Sequence, residues 1–397
     1  MTPEQDPAFA FHRGGKVGIS PRVSVRTPAD LALAYTPGVG RVSQAIADDP
    51  SEARHYTGRA NTIAVLTNGT AVLGLGDIGP EAAMPVMEGK AILFHRFAGI
   101  DAYPICLDAR TPDEVVAVAK ALAPTFGGIN LEDIAAPDCF EIEQRLQDEL
   151  DIPVFHDDQH GTAIVVGAAV MNAARLTERL LSELRVVVVG VGAAGTACGR
   201  LLHDLGVADV VAVDRAGILH RDLVGLAEHH RWFAEHGNRE QRRGGVREAL
   251  RGADVLIGVS GPGTVEPAWL AEMNPDAAVF AMANPVPEVL PSQVPDNVAV
   301  VGTGRSDFPN QINNVLAFPG VFRGLLDAGA ARVTPAMKRA AAAALADLVD
   351  EPTPERIVPG VFDPGVADAV AEAIREVSCP PLSAISSVPG VLAGAVA

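Results

Sequence analysis

Two hydrophobic rhythms alternate along this chain. Short continuous β-branched runs are separated by longer stretches whose apolar positions fall three and four apart, the pattern of strands alternating with helices around a parallel sheet. TIAVLT at residues 62–67 and the run at 101–107 are of the first kind. Asn68-Gly69 then signals a two-residue turn into a second strand at 70–73. Thr27-Pro28 with Asp30 predicts a capped helix over residues 29–34, halted by Thr36-Pro37-Gly38, and Thr111-Pro112 with Glu114 predicts another to Ala123. Residues 85–98 read as an amphipathic helix closed by Gly99, and a further helix follows from Pro137.

The centre of the pattern is DIPVFHDDQHGTAIVVGAAVMNAA, residues 151–174. A short apolar strand ends at Asp157 and Asp158, and a helix beginning at Gly161 is apolar on every side, as a buried helix is. Residues 184–189 (LRVVVV) form the next strand, and Gly190-Val191-Gly192-Ala193-Ala194-Gly195 opens a helix to about residue 205. Residues 210–213 bring a strand ending in Asp214, and strands recur at 254–259, 278–282 and 298–301. The insert at 231–251 reads as a solvated helical connection, Thr334-Pro335 caps an alanine-rich helix, and a last helix spans 366–377. The fold class is therefore α/β. A parallel-sheet domain occupies residues 1–158, a doubly wound Rossmann-type dinucleotide-binding domain residues 159–377, and a tail rich in Pro, Ser and Gly residues 378–397.

Length and charge narrow the partners. A chain of 397 residues holds two domains, each able to bury a core. A net charge of -18 argues against nucleic acid and against an anionic membrane, both of which need a basic surface. Cys106, Cys139, Cys198 and Cys379 are widely spaced and form no CxxC, as expected of reduced thiols in a cytoplasmic protein. No stretch has the length and apolarity of a membrane span, and no signal peptide opens the chain.

The chemistry concentrates at strand ends. Glu132-Asp133 and Asp157-Asp158 each follow a strand, and in parallel α/β sheets those ends share the edge where ligands bind. Three or four carboxylates without a cysteine suit a hard cation, Mg²⁺ or Mn²⁺, whereas a solvated acidic surface is the plainer alternative. Lys90 lies among Met87, Ala91, Ile92 and Leu93, where desolvation favours the neutral amine that acts as a base; the alternative is a snorkelling surface lysine. Tyr35, at a helix end beside a rigid turn, faces a cleft or simply packs the turn. His156 and His160 mimic a zinc-protease pair, but Asp stands where that motif needs Glu, so both are expected either to be structural or to support the ligands of a neighbouring site.

Two glycine triplets compete for a dinucleotide. Gly74 to Gly79 matches GxGxxG but is followed at once by Pro80, with no second strand ending in an acid at the right distance. Gly190, Gly192 and Gly195 have the full strand, helix, strand and acid context. Asp214 would accept the adenosine ribose hydroxyls and favour NAD, while Arg215 could neutralise a 2′-phosphate and favour NADP. Asn284 and the pair Asn313-Asn314 follow later strands, where buried amides could orient carboxylates or a nicotinamide, capping being the ordinary alternative.

Taken in order, AYTPGVG around Tyr35, PVMEGKAILF around Lys90, INLEDI, IPVFHDDQHGTA, MANPVPE and NQINNVLAFPG resemble the short bacterial malic enzymes from about residue 12 to 375. The resemblance implies oxidative decarboxylation of L-malate to pyruvate and CO₂ with NAD⁺ or NADP⁺ and a divalent cation, in a homodimer. Position by position it implies Lys90 as general base and Tyr35 as general acid. It makes Glu132, Asp133 and Asp158 metal ligands with Asp157 close to Lys90, and Asn284 and Asn314 substrate contacts. One departure stands out: larger members carry a substrate-holding arginine where this chain has Ala71. Two rival expectations remain, a metal-dependent 2-hydroxy-acid dehydrogenase that does not decarboxylate, and a redox sensor that binds a dinucleotide without turnover.

Overall fold

A computed structural model describes residues 5–72 and 74–378. The chain divides into two compact units, Met1–Asp157 and Asp158–Ala397. In the first, helices α1 (Pro7–His12), α2 (Pro28–Ala34), α3 (Gly38–Asp48) and α4 (Ala53–Tyr56) precede a sheet. Its strands are β1 (Thr62–Thr67), β2 (Asp101–Cys106), β3 (Gly128–Leu131) and β4 (Val154–His156), linked in turn by α5 (Pro80–Ala98), α6 (Pro112–Leu122) and α7 (Asp138–Glu149). All pairings are parallel and the order is β2-β1-β3-β4. The chain therefore starts at an inner strand, steps to one side and returns to the other. The reversal falls between β1 and β3, the place where a parallel sheet opens a crevice at its carboxyl edge.

The second unit carries β5 (Arg185–Val189), β6 (Asp209–Asp214), β7 (Gly217–Ile218), β8 (Val255–Gly258), β9 (Ala277–Ala281) and β10 (Val298–Thr303). Its order, β10-β9-β8-β5-β6-β7, is parallel except for the β6–β7 pair. Helix α8 extends over Asp157–Leu176, and α9 (Ala193–Asp204), α10 (Glu228–His236), α11 (Val246–Leu250), α12 (Pro267–Leu270), α13 (Phe318–Ala328), α14 (Pro335–Asp347) and α15 (Val366–Ser378) follow. Ile164, Val165, Val166, Ala168, Ala169 and Val170 of α8 are fully buried, as an all-apolar helix requires. Among the described residues no helix is long and apolar enough to cross a membrane.

Four local expectations change. Residues after Asn68-Gly69 form no second strand: β1 has parallel partners on both edges, leaving no room for a hairpin mate, and Leu73 lies outside the described residues. Gly69 instead adopts φ +70°, and a Cβ there would lie 2.3 Å from the Gly79 carbonyl oxygen. Helix α5 starts at Pro80, earlier than the expected residue 85, with Gly79 at φ +84° as its N-cap and Pro85 inside its second turn. Helix α8 starts at Asp157, so both aspartates occupy its first turn, where the helix dipole favours negative charge. The 231–251 insert is docked: Phe233 of α10 is fully buried against Gly199, where a Cβ would lie 2.2 Å from its ring. The expected tail beyond Ser378, with Cys379, lies outside the described residues.

Candidate active site

Glu132 and Asp133 follow β3 directly, and Asp157 and Asp158 follow β4. Their neighbouring strands end in register, with Leu131 opposite His156, so the two acidic pairs leave the sheet at adjacent strand ends. One carboxylate oxygen from each of Glu132, Asp133 and Asp158 can be chosen so that all three lie within 4.8 Å of one another. Glu132 and Asp133 are 3% exposed, so these are not the solvated surface acids of the plainer alternative. Asp133 holds φ +52°, a conformation Asp tolerates better than most residues and one that collects at functional sites. Its carbonyl accepts from the Ala71 N–H at 3.0 Å. Position 71 thus braces the acidic turn and brings no cationic side chain.

Lys90 is buried, not snorkelling. Its Nζ donates to Asp157 Oδ2 at 2.6 Å and lies 2.9 Å from Glu132 Oε1; the three side chains are 8%, 0% and 4% exposed. Asn130 Nδ2 donates to Glu132 Oε2 at 2.9 Å, which fixes the carboxylate shared by the lysine and the acidic trio. Helix α5 delivers Lys90 from its buried face, which also carries Met87, Ala91 and Phe94. The desolvation read from the sequence is present, together with two carboxylates that favour the ammonium.

The two histidines are held on different elements. His156 ends β4, fully buried, with its N–H donating to Glu143 Oε1 at 3.0 Å. Burial holds its ring below the ordinary value against the pull of Glu143 and Glu132. His160 sits in the first turn of α8 with its Nδ1 3.1 Å from Lys338 Nζ. One histidine on a strand and one on a helix do not make the zinc-protease pair. Tyr35, at the C-cap of α2, is 68% exposed, in contrast to the buried lysine and its carboxylates.

In the second unit the glycine turn has the geometry that a pyrophosphate needs. Gly190 adopts φ +100°, and a Cβ at Gly195 would lie 1.9 Å from the Gly190 carbonyl oxygen, so α9 packs as closely as backbone allows. Gly192 is the N-cap, and a Cβ there would meet nothing within 4 Å; Ala193 and Ala194 form the first turn. Helix N–H groups left without intrahelical partners are a ready anion site. At the end of β6, Asp214 Oδ1 accepts from the Ala216 N–H at 2.7 Å. His230, which the sequence reading passed over, places Nδ1 3.5 Å from Asp214 Oδ2 and Nε2 3.3 Å from the Val191 carbonyl oxygen. Arg215 is exposed. The rival glycines at 74–79 form a loop ahead of α5 and follow no nucleotide-type strand.

Asn284 lies exposed in the turn after β9, and a Cβ at Gly304 would lie 2.8 Å from its Nδ2. Asn313 caps the short turn Asn314–Leu316, accepting from the Val315 N–H at 3.0 Å, and Asn314 is half-buried beside it. The residue in this region that the sequence reading missed is Glu288, 2% exposed, whose carboxylate accepts from the backbone of two turns. An acid closing the apolar, proline-rich MANPVPE was the available signal.

Comparison with known proteins fits this geometry. Residues 15–147 match the family model described as malic enzyme, N-terminal domain, and residues 159–378 that described as malic enzyme, NAD binding domain. The chain is 51% identical to an NAD-dependent malic enzyme of Geobacillus stearothermophilus over 94% of this chain and 78% of that one. It is 49% identical to a bifunctional malic/malolactic enzyme of Bacillus subtilis (strain 168), covering 94% and 92%. A crystal structure of an NAD-dependent malic enzyme from Thermotoga maritima matches with a TM-score of 0.90 and 48% identity, over 93% of this chain and 98% of that one.

Proposed function

The chain belongs to the malic enzyme family, and from that premise we propose how its residues divide the work. The reaction is oxidative decarboxylation of malate to pyruvate and CO₂ with reduction of NAD(P)⁺. Residues 1–158 hold malate and the metal, and residues 159–377 hold the dinucleotide. The observation that carries this reading is the buried Lys90–Asp157–Glu132 bridge sharing Glu132 with the acidic trio.

Glu132, Asp133 and Asp158 would hold one Mg²⁺ or Mn²⁺: the donor set is all carboxylate oxygen, which suits a hard cation. When bound, that cation supplies Lewis-acid charge at the substrate oxygens. Lys90 takes the proton of the C2 hydroxyl as the C2 hydride leaves for the nicotinamide. Because its Nζ donates to Asp157 Oδ2 at 2.6 Å, the ammonium first passes a proton to that carboxylate, and the neutral amine so formed accepts the hydroxyl proton. After CO₂ departs, Tyr35 returns a proton to C3. Asn284 and Asn314 orient the substrate carboxylate and the nicotinamide amide.

Tyr35 belongs to a segment that needs covering. Phe9, Phe11, Ile19, Val23, Leu33 and Tyr35 are all more than half exposed, in an N-terminal stretch rich in such side chains. A homodimer formed on this surface would bury them and shield the phenol from bulk water. Cys139 and Cys198 are buried free thiols, which supports a cytoplasmic setting. The test is initial rates with malate and Mn²⁺ in the presence of NAD⁺ or NADP⁺, with pyruvate and CO₂ measured as products. Oxaloacetate as the accumulating product would mean a plain dehydrogenase, and no reduction of either dinucleotide would mean a sensor.

A further inference from the structure

Three strand ends meet on the dinucleotide side of the second unit, and one buried carboxylate ties two of them together. Strands β8 and β9 are parallel neighbours with Gly258 opposite Ala281, so the turns that follow them, at Ser260 and at Ala283-Asn284, lie side by side. Glu288 accepts from the Ser260 N–H at 2.7 Å, the Ser260 Oγ at 3.3 Å and the Ala283 N–H at 3.1 Å. Both oxygens are used, one on each turn. Space for the group is provided by Gly258: a Cβ at that position would lie 2.6 Å from Glu288 Cδ. The strand thus carries a glycine where the carboxylate enters.

The Ser260 turn in its turn packs on the glycine loop. A Cβ at Gly190 would lie 2.6 Å from the Val259 carbonyl oxygen and 3.0 Å from Ser260 Cβ. On the other side, Gly304 admits the Asn284 amide, its own Cβ position lying 2.8 Å from Nδ2. Glu288 therefore lies in a continuous chain of close contacts from Gly190, which begins the pyrophosphate turn, to Asn284. A loop held by one carboxylate with two backbone N–H donors has a defined height above the sheet, and without it the turn has no such constraint.

We infer that Glu288 is a positioning residue for hydride transfer, setting the Asn284 turn at a fixed height relative to the glycine loop so that the amide meets the reacting end of the bound dinucleotide and its substrate. The inference rests on the reading of Asn284 as a substrate or nicotinamide contact. Burial pushes the Glu288 carboxyl above the usual range, while the donors from Ser260 and Ala283 pull it back, so these hydrogen bonds are what a buried carboxylate here depends on.

The test uses the full chain with Mn²⁺, malate and NAD⁺. Glu288→Gln keeps the shape but turns an N–H₂ toward a backbone N–H, which forces one of the two turns away. The expected result is a fall of about 10- to 100-fold in kcat and in kcat/KM for malate, the scale of a misplacement near 1 Å. The NADH dissociation constant, read by NADH fluorescence, stays near the parent's. Gly258→Ala, whose methyl group takes the carboxylate's place, is expected to reproduce that loss. In a Glu288→Ala background the same Gly258→Ala change is expected to add nothing, because the space is then empty. A Glu288→Gln enzyme with parental kcat and kcat/KM and only a lowered melting temperature would overturn the inference and leave Glu288 a stabilising group. Asn284→Ala separates the two layers. Loss of activity there with none in Glu288→Gln sinks the positioning role alone, whereas parental activity in Asn284→Ala removes the contact on which that role depends.

Discussion

Removing the cation from the buried bridge should destabilise the first unit and strengthen metal binding at the same time. Lys90→Met keeps the apolar stem that packs beside Met87 and Phe94 but leaves Glu132 and Asp157 buried without their shared ammonium. With side chains 4% and 0% exposed, solvent screens neither carboxylate. Breaking one side of such a buried pair costs about 3–5 kcal/mol. For a unit of this size, each kcal/mol moves the melting temperature roughly 2–4 °C, giving a fall of about 6–20 °C in the metal-free protein. Mn²⁺ should then raise the melting temperature of Lys90→Met more than that of the parent, since Glu132 no longer divides its charge between an ammonium and a metal. Malate oxidation should drop by roughly 10²- to 10⁴-fold, the usual contribution of a positioned base. The assay is a thermal melt in EDTA and in Mn²⁺, paired with the rate of NADH formation. A metal-free melting temperature within about 2 °C of the parent, with the same Mn²⁺ response, would refute the reasoning.

Other outcomes follow from the same geometry. Asp214→Ser should lower kcat/KM for NAD⁺ by about tenfold and raise the ratio for NADP⁺ over NAD⁺ if the carboxylate pinned by the Ala216 N–H is the one that accepts ribose hydroxyls and repels a 2′-phosphate, as we propose; an unchanged ratio in steady-state rates would assign the choice elsewhere. Burial pushes the Cys106 thiol up to about 11 from 9.0, so at pH 8 its thiolate fraction is about 100-fold below that of an unperturbed cysteine. In a Cys379→Ser background, alkylation of Cys106 should be correspondingly slow and rise about tenfold per pH unit up to pH 10. Rapid labelling at pH 8 would contradict it. Sedimentation should show a dimer that dissociates when Leu33 and Tyr35 are both changed to Ser, and a parent that sediments as a monomer would remove the proposed cover for the N-terminal surface.

Legibility in the sequence depended on how far apart the interacting residues were. The caps at Thr27-Asp30, Thr111-Glu114 and Thr334 were readable because a capping hydrogen bond spans three residues, and all three form. The glycine turn was readable for the same reason, its close contact joining Gly190 to Gly195. Asn68-Gly69 misled because its local preference for a hairpin is overridden by two parallel strands from residues 101–106 and 128–131. The carboxylates could be placed at a common sheet edge from the alternation of strands and helices. Their partner could be placed only through the family resemblance: Lys90 meets Asp157 across 67 positions, and nothing in the α5 pattern itself distinguishes a buried ion pair from a snorkelling stem. Glu288 was missed likewise, since its role depends on Gly258 and Ser260 in a neighbouring strand and turn.

The proposed metal site turns on Glu132, Asp133 and Asp158 acting as one ligand set, and Mn²⁺ titration followed by electron paramagnetic resonance measures that directly. The EDTA-treated chain should take up a single tightly held Mn²⁺, and Asp158→Asn should lose it along with malate turnover while the melting temperature in EDTA stays level or rises. The same stoichiometry and affinity in Asp158→Asn as in the parent would contradict the account.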